Sequence, residues 1–230
     1  MVSISTRTYF SIQHLESAAL FARNAYDIEK NYNGIFSVEL FSQHRAYVTG
    51  SILSSAFFLE AAINELFADT VEPNSEIAKK IDPTTFQMLG KMWNLGVPRT
   101  AGFTILQKYE IALSVAQKQV FDCGKAPYQD VGLLVRLRNS LVHYEPEWIK
   151  TPSSDDFGPD DIHKYEKGFT GKFLVNPLAG QGNPFYPDKC LGYGCAEWAV
   201  NSSINFADDF FLRMGLLPPY DHVRNRLSTR

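Results

Sequence analysis

Apolar residues recur at three-and-four spacing through most of the chain, the period of helices that bury one stripe. Over residues 10–30 the stripe is Leu15, Ala18, Ala19, Ala22, Ala25 and Tyr26, and Asn31, Tyr32, Asn33 and Gly34 close it as a turn. Residues 38–69 predict a long helix, densest in apolar content through Ile52, Leu53, Ala56, Phe57, Leu59, Ile63 and Leu66. Pro73 breaks that pattern, and Asp82 before Pro83 is an N-cap with proline in the first turn of a short helix that stops at 96–98. A helix over 101–121 turns Phe103, Leu106, Tyr109, Leu113 and Ala116 inward, with Gly124 as its stop. Pro127 starts the next helix, which ends near Tyr144 because the residue before Pro146 is biased away from helical geometry. The last long helix, 190–214, carries Cys195, Trp198, Ala199, Ser202, Phe206, Phe210 and Met214 on one stripe, then meets Gly215, Pro218 and Pro219.

Between these last two helices the periodicity stops. Residues 147–189 hold five prolines and five glycines with scattered aromatics. A structureless loop of that length is uncommon inside a compact domain. The expectation is an irregular flap pinned by Phe157, Tyr165, Phe169, Phe173, Phe185 and Tyr186, with one short helix near 160–167. Residues 216–230 are expected to be loose. Strand alternation of convincing length is absent, as is any internal repeat. The pattern predicts an all-α protein: one domain over 1–230, an antiparallel bundle of about five long helices with a long irregular insertion before the last.

Composition narrows the function classes. The 230 residues are 45% hydrophobic, 13% aromatic and 20% charged, enough apolar content to bury a sizeable core. A net charge of -3 and a pI near 6.0 argue against coating nucleic acid through global charge, while leaving room for a local basic site. Residues 46–68 form the most apolar long stretch, but Glu60, Asn64 and Glu65 interrupt it, favouring a buried helix over a membrane span. The first residues lack the apolar core of a signal peptide, so a cytoplasmic protein with no membrane partner is expected. Cys123, Cys190 and Cys195 are odd in number and form no CxxC pair. Core thiols are expected, with no metal site and no cofactor.

Chemistry concentrates in residues 131–146, VGLLVRLRNSLVHYEP. At about 100° per residue the apolar stripe is Val131, Leu134, Val135 and Val142, with Arg138 in its middle. An arginine on the buried side is costly unless paired. Glu60 is the candidate partner, since with Asn64 it puts polar groups on one face of an otherwise apolar helix. On another face Arg136, Asn139 and His143 form a ridge, spaced three and then four apart. There Asn139 can hydrogen-bond the His143 imidazole and select its tautomer. Arg138 and His143, five apart, point about 140° away from each other. A two-fold axis beside the motif would bring two copies of both into one cleft. The remaining histidines, His14, His44, His163 and His222, are expected to be structural or exposed.

Arg138, Asn139, three variable positions and His143, with FFLEAAINELF (57–67) before them and CAEWAVNSSINFADDF (195–210) after, resemble the HEPN superfamily. The resemblance spans most of residues 40–215 and leaves 147–189 outside the shared core. It implies a helical bundle that dimerises with two motif helices facing a common cleft. Many members are metal-independent endoribonucleases of toxin-antitoxin or defence systems, and others have lost catalysis and serve as binding modules. By this resemblance Arg138 and His143 are the catalytic pair, supported by Asn139, with Arg136, Tyr144 and Glu60 as substrate contacts. The implied partners are a second copy, RNA and an antitoxin or other protein. Members silenced by nucleotide transfer onto a tyrosine carry it two positions after the histidine, where this chain has Glu145, Tyr144 being adjacent to the histidine.

The residue types suit RNA: a histidine moves protons near neutral pH, and an arginine fork holds phosphate oxygens. DNA lacks the 2′-hydroxyl nucleophile. The alternative is a non-catalytic dimer module that binds a nucleotide or protein partner, favoured by the acidic net charge and by an arginine on the apolar stripe. A third arrangement has the flap covering a small phosphorylated ligand, although no glycine-rich phosphate loop accompanies it.

Overall fold

A computed structural model describes residues 7–35, 37–72, 75, 80–99, 102–150 and 158–230, and among these the chain is helical with no strand. Helices α1 (Ser11–Lys30) and α2 (Val38–Asp69) make the most extensive pairing. The small side chains of Ala18, Ala22 and Ala25 are fully buried on α1. Gly50 on α2 lies so close that a Cβ there would stand 2.9 Å from the Phe21 ring. Polar contacts tie both ends of the pair. Glu65, late in α2, accepts from the backbone N–H groups of Phe10 (2.7 Å) and Ser11 (2.9 Å) at the start of α1. His44 Nε2 meets Glu29 Oε1 at 2.8 Å at the other end, so the two helices run antiparallel.

Around this pair lie α3 (Pro83–Asn94), α4 (Ile105–Val115), α5 (Tyr128–Val142), a short α6 (Lys164–Phe169) and α7 (Tyr193–Met214). Capping chemistry sets several of these boundaries. Asp82 accepts from Thr85 N at 2.9 Å ahead of Pro83, and Thr104 with Gln107 forms a reciprocal capping box. Gly215, at φ 71°, ends α7 in the left-handed conformation. α7 packs against α1, α2 and α5. Its Phe206 and Phe210 meet Tyr109 of α4 edge-on at 4.9 and 4.6 Å, and all seven residues of its expected stripe are buried. The Tyr109 hydroxyl donates to Leu59 O at 2.8 Å, which satisfies a phenol buried at the centre.

Four expectations change. The helix expected over 101–121 stops at Val115, because Gln117 turns to φ 55° and Lys118 N donates back to Leu113 O; Phe103 is 37% exposed rather than inward. On α5 the buried stripe is Val131, Leu134 and Leu137, and Val142 is half exposed at the helix end. Residues 216–230 are packed instead of loose: Tyr220, Val223 and Leu227 are buried, and the Tyr220 hydroxyl donates to Asp208 at 2.6 Å. Cys190 and Cys195 are core thiols, but Cys123 is exposed.

The described part of the insertion is fastened to the bundle. Phe169 and Phe173 contact Trp198 of α7 at 5.1 and 5.8 Å between centroids. Its backbone crosses the start of α7 at Gly192 and Gly194, where added Cβ atoms would lie 2.7 Å from Asn176 and 2.3 Å from Leu174 O. Phe157, expected to pin this segment, and Pro73 lie outside the described residues. α2 is long and apolar enough, by length and composition, to cross a membrane, and half of its most apolar window is buried in the bundle.

Candidate functional site

Helix α5 turns two kinds of residue in two directions. Val131, Leu134 and Leu137 anchor it on α2 and α7, while Arg136 and Asn139 are exposed on the opposite side. His143 is the C-cap residue: its N–H donates to Asn139 O at 2.8 Å, and its own φ of -109° and ψ of 44° end the helical turn. The ring therefore projects from the end of the helix at the surface.

Arg136, Asn139, Ser140 and His143 form one side of a cleft of about 590 Å³. The following residues, 144–147, continue the wall, which includes Tyr144, Glu145 and Glu147. The insertion supplies the opposite side through Lys164, Tyr165, Gly168 and Tyr186. Hydrogen bonds from those residues hold the two sides together. The Tyr165 hydroxyl donates to Arg136 O at 2.9 Å, and Ser140 Oγ lies 3.4 Å from the Tyr186 hydroxyl. Burial pushes the Tyr186 phenol above its usual range, so it stays a neutral hydrogen-bonding group at physiological pH.

Two sequence-predicted site residues stand elsewhere. Arg138 is half-buried and does not line the cleft; its Nη1 donates to Asn139 Oδ1 at 2.8 Å, and its Nε is buried without a partner. The Arg138–Glu60 ion pair does not form. Glu60 instead pairs with Lys108 of α4, whose Nζ also lies 3.4 Å from Asn64 Oδ1. Lys108 is only 4% exposed, and the two polar groups spaced along α2 converge on it. Nor does Asn139 orient His143 through its side chain. Among the described residues its Oδ1 is engaged by Arg138, and no hydrogen bond holds the His143 ring.

Ser140 and Lys164 are cleft residues that sequence reasoning did not single out, and Tyr165 and Tyr186, expected only to pin the flap, line the cleft as well. Lys164 and Tyr165 fall within the expected short helix, but helix periodicity carries no information about where an irregular segment folds back. His163, expected to be structural or exposed, stacks on Tyr186 at 4.8 Å and reaches Glu147 at the cleft edge.

A larger concavity, about 1020 Å³, lies between the first half of α2 and the insertion. Its charged groups already have partners: Arg45 with Asp188 (3.2 Å), Asp188 also with Asn183 (2.8 Å), and His44 with Glu29 of α1 (2.8 Å). Volume therefore favours that groove, but unengaged chemistry favours the α5 cleft. Among the described residues no three His, Cys, Asp or Glu are grouped to hold a metal ion. No family model, curated protein or solved structure matches the chain.

Proposed function

We infer that the chain is a HEPN-like endoribonuclease, cytoplasmic and dimeric, that cleaves RNA by attack of the 2′-hydroxyl on the adjacent phosphate. The observation that carries this is the meeting of His143, Arg136 and Asn139 in one open cleft beside exposed backbone and aromatic residues. His143 transfers the proton, either removing it from the 2′-hydroxyl or delivering it to the departing 5′-oxygen. The 2′-oxygen forms a bond to phosphorus as the 5′-oxygen bond breaks, leaving a 2′,3′-cyclic phosphate and a 5′-hydroxyl. Arg136 is the arginine placed to hold phosphate oxygens as charge builds on them, since no carboxylate engages it among the described residues.

Arg138 enters this scheme differently from the sequence expectation. Through Nη1 it fixes Asn139 within the cleft wall, which makes it a positioning residue in one chain. A second copy of α5 across a two-fold axis would supply the second proton-transfer group, a second His143. A toxin-antitoxin or defence role, with an antitoxin as partner, fits such an activity.

Cleavage of single-stranded RNA, followed on gels, tests the proposal. Wild type should yield cyclic-phosphate ends, and His143→Ala should lose at least about a hundredfold in rate, the usual scale for a general acid or base. Equal cleavage by both, or none by wild type across varied RNAs, would count against it. The alternative, a non-catalytic dimer module that binds a nucleotide or a protein, is favoured by the buried unpartnered Nε of Arg138. In that case Arg138→Ala lowers dimer affinity or melting temperature, whereas in the enzyme it lowers cleavage with the fold intact.

A further inference from the structure

The cleft has an unusual lining for a polyanion. Beside the cations Arg136 and Lys164 stand two carboxylates, Glu145 and Glu147. Glu147 has a partner. Its Oε1 lies 3.3 Å from His163 Nε2, while His163 Nδ1 accepts from Tyr165 N at 3.2 Å. A nitrogen that accepts a backbone N–H carries no proton, so neutral His163 holds its proton on Nε2 and donates it to Glu147. Glu145 has no hydrogen bond or ion pair among the described residues. It follows Tyr144, which is 51% exposed, and precedes Trp148, which is 105% exposed, on a non-helical stretch directly after His143. Tyr144 and Glu145 line the cleft, and Trp148 follows on the same exposed run of chain, so apolar ring area and a bare acceptor reach water within one short stretch.

We propose that Tyr144, Glu145 and Trp148 form a guanine-selective base site beside His143, resting on the ribonuclease function inferred for the cleft. Aromatic faces stack on any base, so Tyr144 and Trp148 supply affinity without discrimination. Discrimination comes from Glu145. The Watson–Crick edge of guanine presents two adjacent donors, N1–H and the N2 amino group, which the two oxygens of one carboxylate accept together. Adenine and cytosine present one amino group next to a bare ring nitrogen whose lone pair repels the carboxylate. Uracil presents one N–H between two carbonyls. A guanine read on this edge must be unpaired. Arg136 and Lys164 then take the neighbouring phosphates, and the carboxylate has a reason to stand in an anion site.

The test uses the whole wild-type chain and 2′-O-methylated octanucleotides, which cannot undergo 2′-hydroxyl attack. One has a single guanine in a uridine background, and a second has adenine in its place. Binding is read by tryptophan fluorescence and checked by gel shift. The guanine octamer should bind about tenfold tighter than the adenine octamer, the scale of one charge-assisted bidentate contact. Glu145→Gln should bring that ratio near one. Trp148→Ala and Tyr144→Ala should each weaken both octamers by about tenfold, with Trp148→Phe restoring affinity.

A wild-type ratio of one, a ratio that survives Glu145→Gln, or no binding of either octamer overturns the proposal. It is also overturned if Trp148→Ala turns a dimer into a monomer on sedimentation with octamer affinity per chain unchanged, because the aromatic patch is then a self-contact. The ribonuclease function is judged separately, on the unmodified ribose octamers. Guanine-selective binding without cleavage keeps the base site and removes the enzyme; cleavage without guanine preference does the reverse.

Discussion

Glu60 and Lys108 provide the sharpest test of how the bundle is held together. The Lys108 side chain is 5% exposed and that of Glu60 is 32% exposed, so the two partners differ in what they lose when left alone. Glu60→Leu strands an ammonium group in the interior, with Asn64 Oδ1 at 3.4 Å as its nearest alternative acceptor. Stranding a fully buried charge costs about 3–5 kcal/mol, and the partly open Glu60 side lowers this to about 2–3 kcal/mol. Lys108→Met leaves a carboxylate that water reaches, at a cost of about 1 kcal/mol. Glu60→Leu with Lys108→Met should return to within about 1 kcal/mol of wild type, because apolar replacement of a buried pair is close to neutral. For a chain of this size Glu60→Leu corresponds to a fall in melting temperature of about 4–12 °C. Urea titrations followed by circular dichroism give the double-mutant cycle, with an expected coupling of at least about 1 kcal/mol. Coupling below about 0.5 kcal/mol between positions 60 and 108, or coupling of at least about 1 kcal/mol between 60 and 138, would refute the assignment of partners.

Other consequences are as direct. Gly215→Ala adds a Cβ that meets nothing within 4 Å but forces an alanine to φ 71°, so calorimetry should show a loss of about 1–2 kcal/mol from conformation alone. Gly194→Ala should cost more, because its Cβ would stand 2.3 Å from Leu174 O, a backbone atom. Tyr220→Phe removes the bond to Asp208, about 1.5–3 kcal/mol, and Tyr220→Ala about 3–5 kcal/mol, both read from urea midpoints; a loose tail would leave both silent. Burial pushes the Tyr128 phenol up to about 12 and raises that of Tyr220 as well. The folded chain therefore keeps these protons at pH values where the unfolded chain loses them. Their contribution is intact below about pH 10 and erodes as pH rises towards 12. Melting temperatures measured across that range should fall, less steeply in Tyr128→Phe.

The helices were legible where burial and caps agree. Asp82–Pro83, Gly215 and the α7 stripe each mark a boundary or a face by local chemistry, and they stand as the periodicity predicts. The ridge of Arg136, Asn139 and His143 was legible for the same reason, since helix phase fixes which side chains share a side. Phase does not say which neighbour lies opposite. Glu60 found Lys108 rather than Arg138 because α4 brings a cation to that face of α2, and a lysine within an apolar stripe gives no sign of its partner. Tyr220, Val223 and Leu227 carried a three-and-four spacing of their own, masked by Pro218, Pro219 and the surrounding arginines. The insertion gave least, because its place is set by contacts such as Tyr165 with Arg136 that link residues 29 apart.

The close crossing at Gly192 and Gly194 makes the insertion inseparable from the bundle. Asn176 donates to Asp188 O and Leu191 O, while Glu29 of α1 accepts from Tyr193 N at 2.5 Å. The first turn of α7 is thus clasped by the insertion on one side and by α1 on the other. Cutting out residues between 147 and 189 would not trim a decoration; it would uncover the start of α7, which packs against α1, α2 and α5. The described part of the segment is expected to exchange its amide hydrogens together with α7 when exchange is followed by mass spectrometry, and any transplant of the α5 cleft to another scaffold has to carry α1, α7 and the insertion with it.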